Sequence, residues 1–153
     1  MFYSIMTLEK YSLKAEDSFT VFEFTSNGPK GLIPKIIIFS ETNLKDLYNL
    51  GFGDKDLTTG KLNDLAISNN GDSEKILATV VSSVYAFTDQ FPGRFIYATG
   101  STKARTRLYR IGLTKYLKEL TKDFELYGLH NDEWESFEKE IEYEAFLAKR
   151  KKH

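Results

Sequence analysis

The sequence predicts an α+β fold in a single domain, because its hydrophobic period changes halfway along the chain. Through the first half, short aromatic and β-branched runs alternate with turn residues, the pattern of strands. From Ile76 onward, apolar residues recur every three or four positions, the pattern of helices, and each helical run follows a strand-like one. Composition points the same way. The aromatic share is 14%, with 12 Phe and 9 Tyr against one Trp, and Phe and Tyr favour sheets and large cores.

Tyr11 to Ala15 reads as an edge strand and Ser18 to Thr25 as a fuller one. Asn27-Gly28-Pro29-Lys30-Gly31 is turn chemistry. Leu32 to Ser40 follows, apolar on both faces through Ile36, Ile37, Ile38 and Phe39, as a central strand should be. Leu47 to Gly53 and Leu62 to Ser68 are further strands, with a turn at Thr58 to Lys61. Ile76, Val80, Val84, Phe87 and Phe91 then mark one face of a long helix, capped by Asp72 or Ser73 and ended by Pro92-Gly93. Arg94 to Thr99 is a strand, and Ser101 or Thr102 caps a second helix carrying Ala104, Leu108, Ile111, Leu117 and Leu120, with a kink at Gly112. Phe124 to Leu129 is a strand, Asp132 to Glu140 a short acidic helix, and Tyr143 to Ala148 a last strand. The basic run Lys149 to His153 is expected to fray. The whole is a mixed, mostly antiparallel sheet whose C-terminal half runs β-α-β-α-β-β.

A chain of 153 residues without repeats or linkers fits one domain over 1–153, and one of this size buries roughly 70% of its surface without a staple. The absence of cysteine excludes a disulfide scaffold, thiolate catalysis and a Cys-ligated zinc site, and it fits a cytoplasmic setting. The first ten residues do not read as a signal peptide, and Ile36 to Phe39 is too short to span a bilayer. A net charge of −1 supplies no global attraction to membrane or nucleic acid.

A crossover from the Leu62 strand through the first helix to the Arg94 strand would make those two strands parallel and end them at one sheet edge. Ligands in such layers sit beyond the carboxyl ends of parallel strands, where helix N-termini favour anions. Two junctions are therefore candidates. In the second, Gly100 would permit close approach, Ser101 and Thr102 would donate hydroxyls, and Lys103, Arg105, Arg107 and Arg110 would attract an anion. The structural reading, which is favoured, has Ser101 only cap the helix and the arginines pair with acidic neighbours on a solvated face. Arg107 and Arg110 share one helix face, Arg105 and Tyr109 another. In the first junction, Asp72 stands where a phosphate would lie and is better suited to capping, with Asn69, Asn70 and Gly71 making the turn. The other reading gives Asn69, Asn70 and Asp72 a polar substrate or a hard cation, although these three fall short of a calcium site, and no metal site is assigned. His130, in a turn, is the one histidine outside the tail. No P-loop, dinucleotide fingerprint or nucleophile elbow appears, so no cofactor is named.

The segments Asn49 to Asp54, Ser68 to Asp72 with Lys75 to Val80, and Ala98 to Arg110 resemble a family of uncharacterised bacterial proteins of about this length. The resemblance covers nearly the whole chain and implies a stand-alone domain without an assigned activity. More distantly, the order of elements is similar to that of the GCN5-related N-acetyltransferases. In that superfamily the first of these helices opens on Arg/Gln-x-x-Gly-x-Gly/Ala, which holds the pyrophosphate of acetyl-CoA. Here the same place reads Asn69-Asn70-Gly71-Asp72-Ser73-Glu74-Lys75, without the basic residue or the second glycine. The superfamily's Leu-Tyr followed by Gly-Phe is matched by Leu108-Tyr109-Arg110-Ile111-Gly112-Leu113, one residue shorter, and implies Tyr109 as a general acid.

Three functions compete. One is a binding module with a protein partner or a second copy, as in a toxin–antitoxin or defence gene pair. A second is an acyltransferase, or another transferase, for a CoA- or phosphate-containing substrate. The third, nucleic-acid binding through the basic helix and tail, is disfavoured by the overall charge.

Overall fold

The computed structural model describes residues 9–63, 69–100 and 102–152. Among them are nine strands and three helices in an α+β arrangement with mixed, mostly antiparallel pairing. The chain divides into two compact units, one comprising residues up to Phe39 with Gly51–Gln90, the other Ser40–Leu50 with Phe91 onward.

In the first unit, β1 (Lys14–Ala15) pairs antiparallel with β2 (Val21–Gly28), and β2 with β3 (Gly31–Glu41). The β2–β3 register closes at Gly28 opposite Gly31, so the expected turn chemistry makes a two-residue loop at Pro29-Lys30. β3 neighbours β4 (Leu47–Lys55), and the short β5 (Leu62–Asn63) pairs antiparallel with the end of β4. The rest of the expected Leu62 strand lies outside the described residues.

Phe22, Phe24, Ile37, Phe39 and Phe52 are buried in this unit, as are Ile76, Leu77, Val80 and Phe87 of α1 (Ser73–Gln90). Phe39 and Phe87 stack at 4.3 Å between ring centroids. A fully buried Phe contributes roughly 1.5–3 kcal/mol, so this pair is a principal anchor of helix to sheet. The buried stripe of α1 differs from the apolar one in the sequence. Ser83 is buried where Val84 is only half-buried, and Thr79 and Thr88 are buried as well. All three hydroxyls bond back to their own helix, Thr79 to the Lys75 carbonyl at 2.7 Å, Ser83 to Val80 at 2.6 Å and Thr88 to Val84 at 2.8 Å.

In the second unit, the first half of β4 pairs in parallel with β6 (Phe95–Ala98), Leu47 opposite Phe95 and Leu50 opposite Ala98. This corrects the expected crossover. Among the described residues the parallel partner of β6 is β4, and the described part of the Leu62 strand turns back as a hairpin on the end of β4. β6 continues antiparallel to β9 (Ala145–Arg150), β9 to β7 (Phe124–His130), and β7 to β8 (Glu133–Ser136). Leu50, Ile96, Phe124, Leu126, Ala145 and Phe146 form the buried apolar set of these strands.

β8 replaces the short acidic helix expected at Asp132 to Glu140. Asn131 and Asp132 both take positive φ, 51° and 63°, and His130 stands opposite Glu133, the two-residue loop whose twist suits a hairpin. His130 is thus the end of a strand, its ring 6.2 Å from that of Tyr143. β9 extends into the basic run. Lys149 and Arg150 are strand residues, and the Lys151 N–H donates to the Asp123 carbonyl at 2.8 Å. The second helix is α2 (Lys103–Lys115), and it breaks at Tyr116 rather than Gly112 before α3 (Leu117–Asp123) packs on β7. The Tyr116 N–H still reaches the Gly112 carbonyl at 3.1 Å, so the glycine stays within the helix.

Candidate functional site

The first junction is a hairpin-to-helix lock. Asn70 is 2% exposed. Its Nδ2 donates to Ser26 Oγ at 3.1 Å and to the Gly31 carbonyl at 2.9 Å, and its Oδ1 accepts the Lys30 N–H at 2.7 Å. A Cβ on Gly28 would fall 2.0 Å from the Asn70 carbonyl oxygen, so only glycine lets the hairpin come this close. Asn69 does the turn work expected of it, accepting the Gly71 N–H at 3.1 Å, with Gly71 at φ 73°.

The Asp72 backbone carbonyl accepts the Ile76 N–H at 3.0 Å, while its carboxylate turns to the strands. Asp72 Oδ2 accepts from Tyr11 Oη and Ser26 Oγ, each at 2.5 Å. Its Oδ1 is shielded from solvent and has no hydrogen-bond partner among the described residues. Tyr11 is held from several sides. Its N–H donates to Thr79 Oγ1 at 2.9 Å, its hydroxyl accepts the Asn27 N–H at 3.0 Å, its ring stacks on Phe24 at 5.5 Å, and Lys75 Nζ sits 4.4 Å from the ring centroid.

Burial, with the Asp72 carboxylate alongside, raises the Tyr11 hydroxyl above the usual phenol range. A folded-state pKa above the unfolded value of about 10 means the contribution is complete below that pH and is lost as pH rises through the folded pKa. Chemical denaturation between pH 8 and pH 11 should show the wild type losing more stability than Tyr11→Phe. Equal losses would mean that Tyr11 titrates no differently in the fold.

At the second junction the close approach permitted by Gly100 is used by the helix itself. A Cβ there would lie 2.3 Å from Thr106 N and 2.5 Å from Arg105 Cβ. The Gly100 N–H donates to Thr106 Oγ1 at 2.9 Å, and Thr102 caps α2 by accepting the Arg105 N–H at 3.2 Å. Ser101 lies outside the described residues. The buried face of α2 and α3 is Arg105, Tyr109, Gly112, Tyr116 and Leu120, in place of the expected Ala104, Leu108 and Ile111; Ala104 is exposed and Ile111 is 46% exposed. Arg105 and Tyr109 therefore do share a face, and it is the face turned to the core, at 8% and 7% exposure. Lys103 and Arg107 are exposed and Arg110 is half-exposed. Among the described residues these three make no ion pair.

One charged pair went unremarked in the sequence. Lys35 and Asp54, on neighbouring β3 and β4, form a buried ion pair at 2% and 8% exposure. The signal for it was a lone lysine between Pro34 and Ile36 in a strand apolar on both faces. Among the described residues no group of three or more His, Cys, Asp or Glu is placed to hold a metal ion, and no helix is long and apolar enough to cross a membrane.

These features define a two-unit α+β protein in which the residues before α1 lock the β2–β3 hairpin, those before α2 cap their own helix, and a basic stripe lies outward on α2. The chain belongs to the family of unknown function DUF6934, whose model matches residues 7–151. No curated protein and no solved structure matches it.

Proposed function

We propose that the chain is a binding module whose partner is an acidic protein docking on the stripe Lys103, Arg107 and Arg110 of α2. The observation that carries this reading is that α2 runs from Lys103 to Lys115 with five basic residues and no acid, and that these three stay unpaired among the described residues. Lys103 and Arg107 stand four apart and Arg107 and Arg110 three apart, nearly opposite the buried stripe. Each like-charge pair costs about 0.2–0.5 kcal/mol in a helix. Cations in the first turn also oppose the helix dipole. An anionic surface laid on the stripe offsets both costs. A protein partner is favoured over nucleic acid because the chain as a whole carries a charge of −1.

The test is capture of a partner from the source-cell lysate by the tagged chain, with and without nuclease, over a salt series. Capture should survive nuclease and weaken with salt. The variant Lys103→Glu/Arg107→Glu/Arg110→Glu, which leaves the buried stripe untouched, should lose it. Unchanged capture by this variant would refute the reading, and loss on nuclease treatment would hand the stripe to nucleic acid.

A further inference from the structure

A cavity of about 580 Å³ lies within the first unit, at the edge formed by β1 and β2 and the loop after β4. That volume is within the range of small-molecule sites. Lys14 stands opposite Glu23, and Thr25 opposite Pro34, so the four line it from one sheet face.

The charges on this lining decide the ligand class. Lys55 and Glu23 both line the cavity and neutralise each other as a half-buried ion pair. Lys14 is exposed and makes no ion pair among the described residues, so the lining carries one uncompensated positive charge. The Ser12 and Thr25 hydroxyls line the same cavity and are exposed. With one net positive charge, the lining balances a single carboxylate, whereas a dianionic phosphate would leave one negative charge uncompensated beside Glu23. The remaining wall is Tyr11 together with the apolar Phe24, Pro34 and Leu57. Leu57 is 79% exposed, a large apolar side chain left at the rim for a hydrocarbon group to cover.

We propose that this cavity is a binding site for an amphipathic monocarboxylate, its carboxylate at Lys14, Ser12 and Thr25 and its hydrocarbon part against Pro34 and Leu57. The site is separate from the α2 stripe and does not depend on it.

The experiment is calorimetric titration of the full chain with octanoate, with octanol and inorganic phosphate as controls. Octanoate should bind saturably with one site per chain, and both controls should bind more weakly. Lys14→Ala should weaken octanoate by about two- to fivefold, the value of one exposed charge pair. Leu57→Ser should weaken it by about tenfold or more, through lost apolar contact. Both side chains are exposed, so neither variant threatens the fold. Absence of saturable binding, octanol binding as tight as octanoate, phosphate binding as tight as octanoate, or octanoate affinity unchanged in both variants would each overturn the proposal.

Discussion

Asp54→Ala should lower the stability of the fold by about 3–5 kcal/mol, as expected when one partner of a buried ion pair is removed. The alanine leaves the Lys35 ammonium, on a side chain 2% exposed, without its carboxylate between the two central strands of the first unit. Lys35 Nζ is also 6.0 Å from the Phe52 ring centroid, which offers far less than a carboxylate. Total stability for a domain is about 5–15 kcal/mol, so this single change removes a large share of it. Lys35→Met alone should be similarly costly. The double variant Lys35→Met/Asp54→Leu should recover most of the loss, because two packed apolar side chains need no solvation to be repaid. Urea denaturation of the wild type, Lys35→Met, Asp54→Leu and the double variant gives the coupling energy directly. A double variant as unstable as the sum of the single ones would mean that the two charges act independently.

This pair also marks the limit of what the sequence could tell. A lysine inside Leu32-Ile33-Pro34-Lys35-Ile36 is visible, but its counterion lies 19 residues on, on a strand whose register no local pattern fixes. The elements themselves were largely legible, since strand and helix periods are local. The partnership of strands was not. β6 pairs in parallel with Leu47 to Leu50 of β4, a segment far away in sequence that no local pattern marks as its partner. β8 was mistaken for helix because Glu133, Glu135 and Glu138 suit helices. The decisive residues were Asn131 and Asp132, which tolerate positive φ and set the hairpin.

The candidate sites were legible in place but not in orientation. The apolar stripe of α2 pointed to Ala104, Leu108 and Ile111, yet Arg105 and Tyr109 are buried instead. Long amphipathic side chains cover apolar surface with their stems and rings, and a count of apolar residues does not register that. This reversal matters for function. It divides the four cations of the second junction into Arg105, turned inward, and Lys103, Arg107 and Arg110, turned toward solvent. The first junction was read as a turn and cap, which holds for Asn69. What Asn70 and Asp72 hold beyond it was hidden by separation, Ser26 being 44 and 46 residues away from them.

Asn70→Ala should cost about 2–4 kcal/mol, because it removes three hydrogen bonds worth about 0.5–1.5 kcal/mol each, one of them to the buried Ser26 hydroxyl. Ser26, at 0% exposure, loses a donor, and the Gly31 carbonyl and Lys30 N–H lose their side-chain partners. Ser26 keeps its bond to Asp72, and Lys30 and Gly31 are exposed, so water can reach their freed backbone groups. Asn70→Asp should fare no better, since it keeps the acceptor for Lys30 but sets a second carboxylate near Asp72 and removes both donors. The control is Asn69→Ala, where an exposed side chain gives up one bond to the Gly71 N–H and water can replace it. That variant should lose well under half as much. Gly28→Ala should be as damaging as Asn70→Ala by a different route, driving a Cβ into the Asn70 carbonyl and prising the hairpin from the helix. Because both act on one link, their combined cost should fall short of their sum. Denaturant titration of the set decides the matter. If Asn69→Ala and Asn70→Ala are equally mild, Asn70 does not hold the β2–β3 hairpin to α1, and the first junction is again open to a ligand.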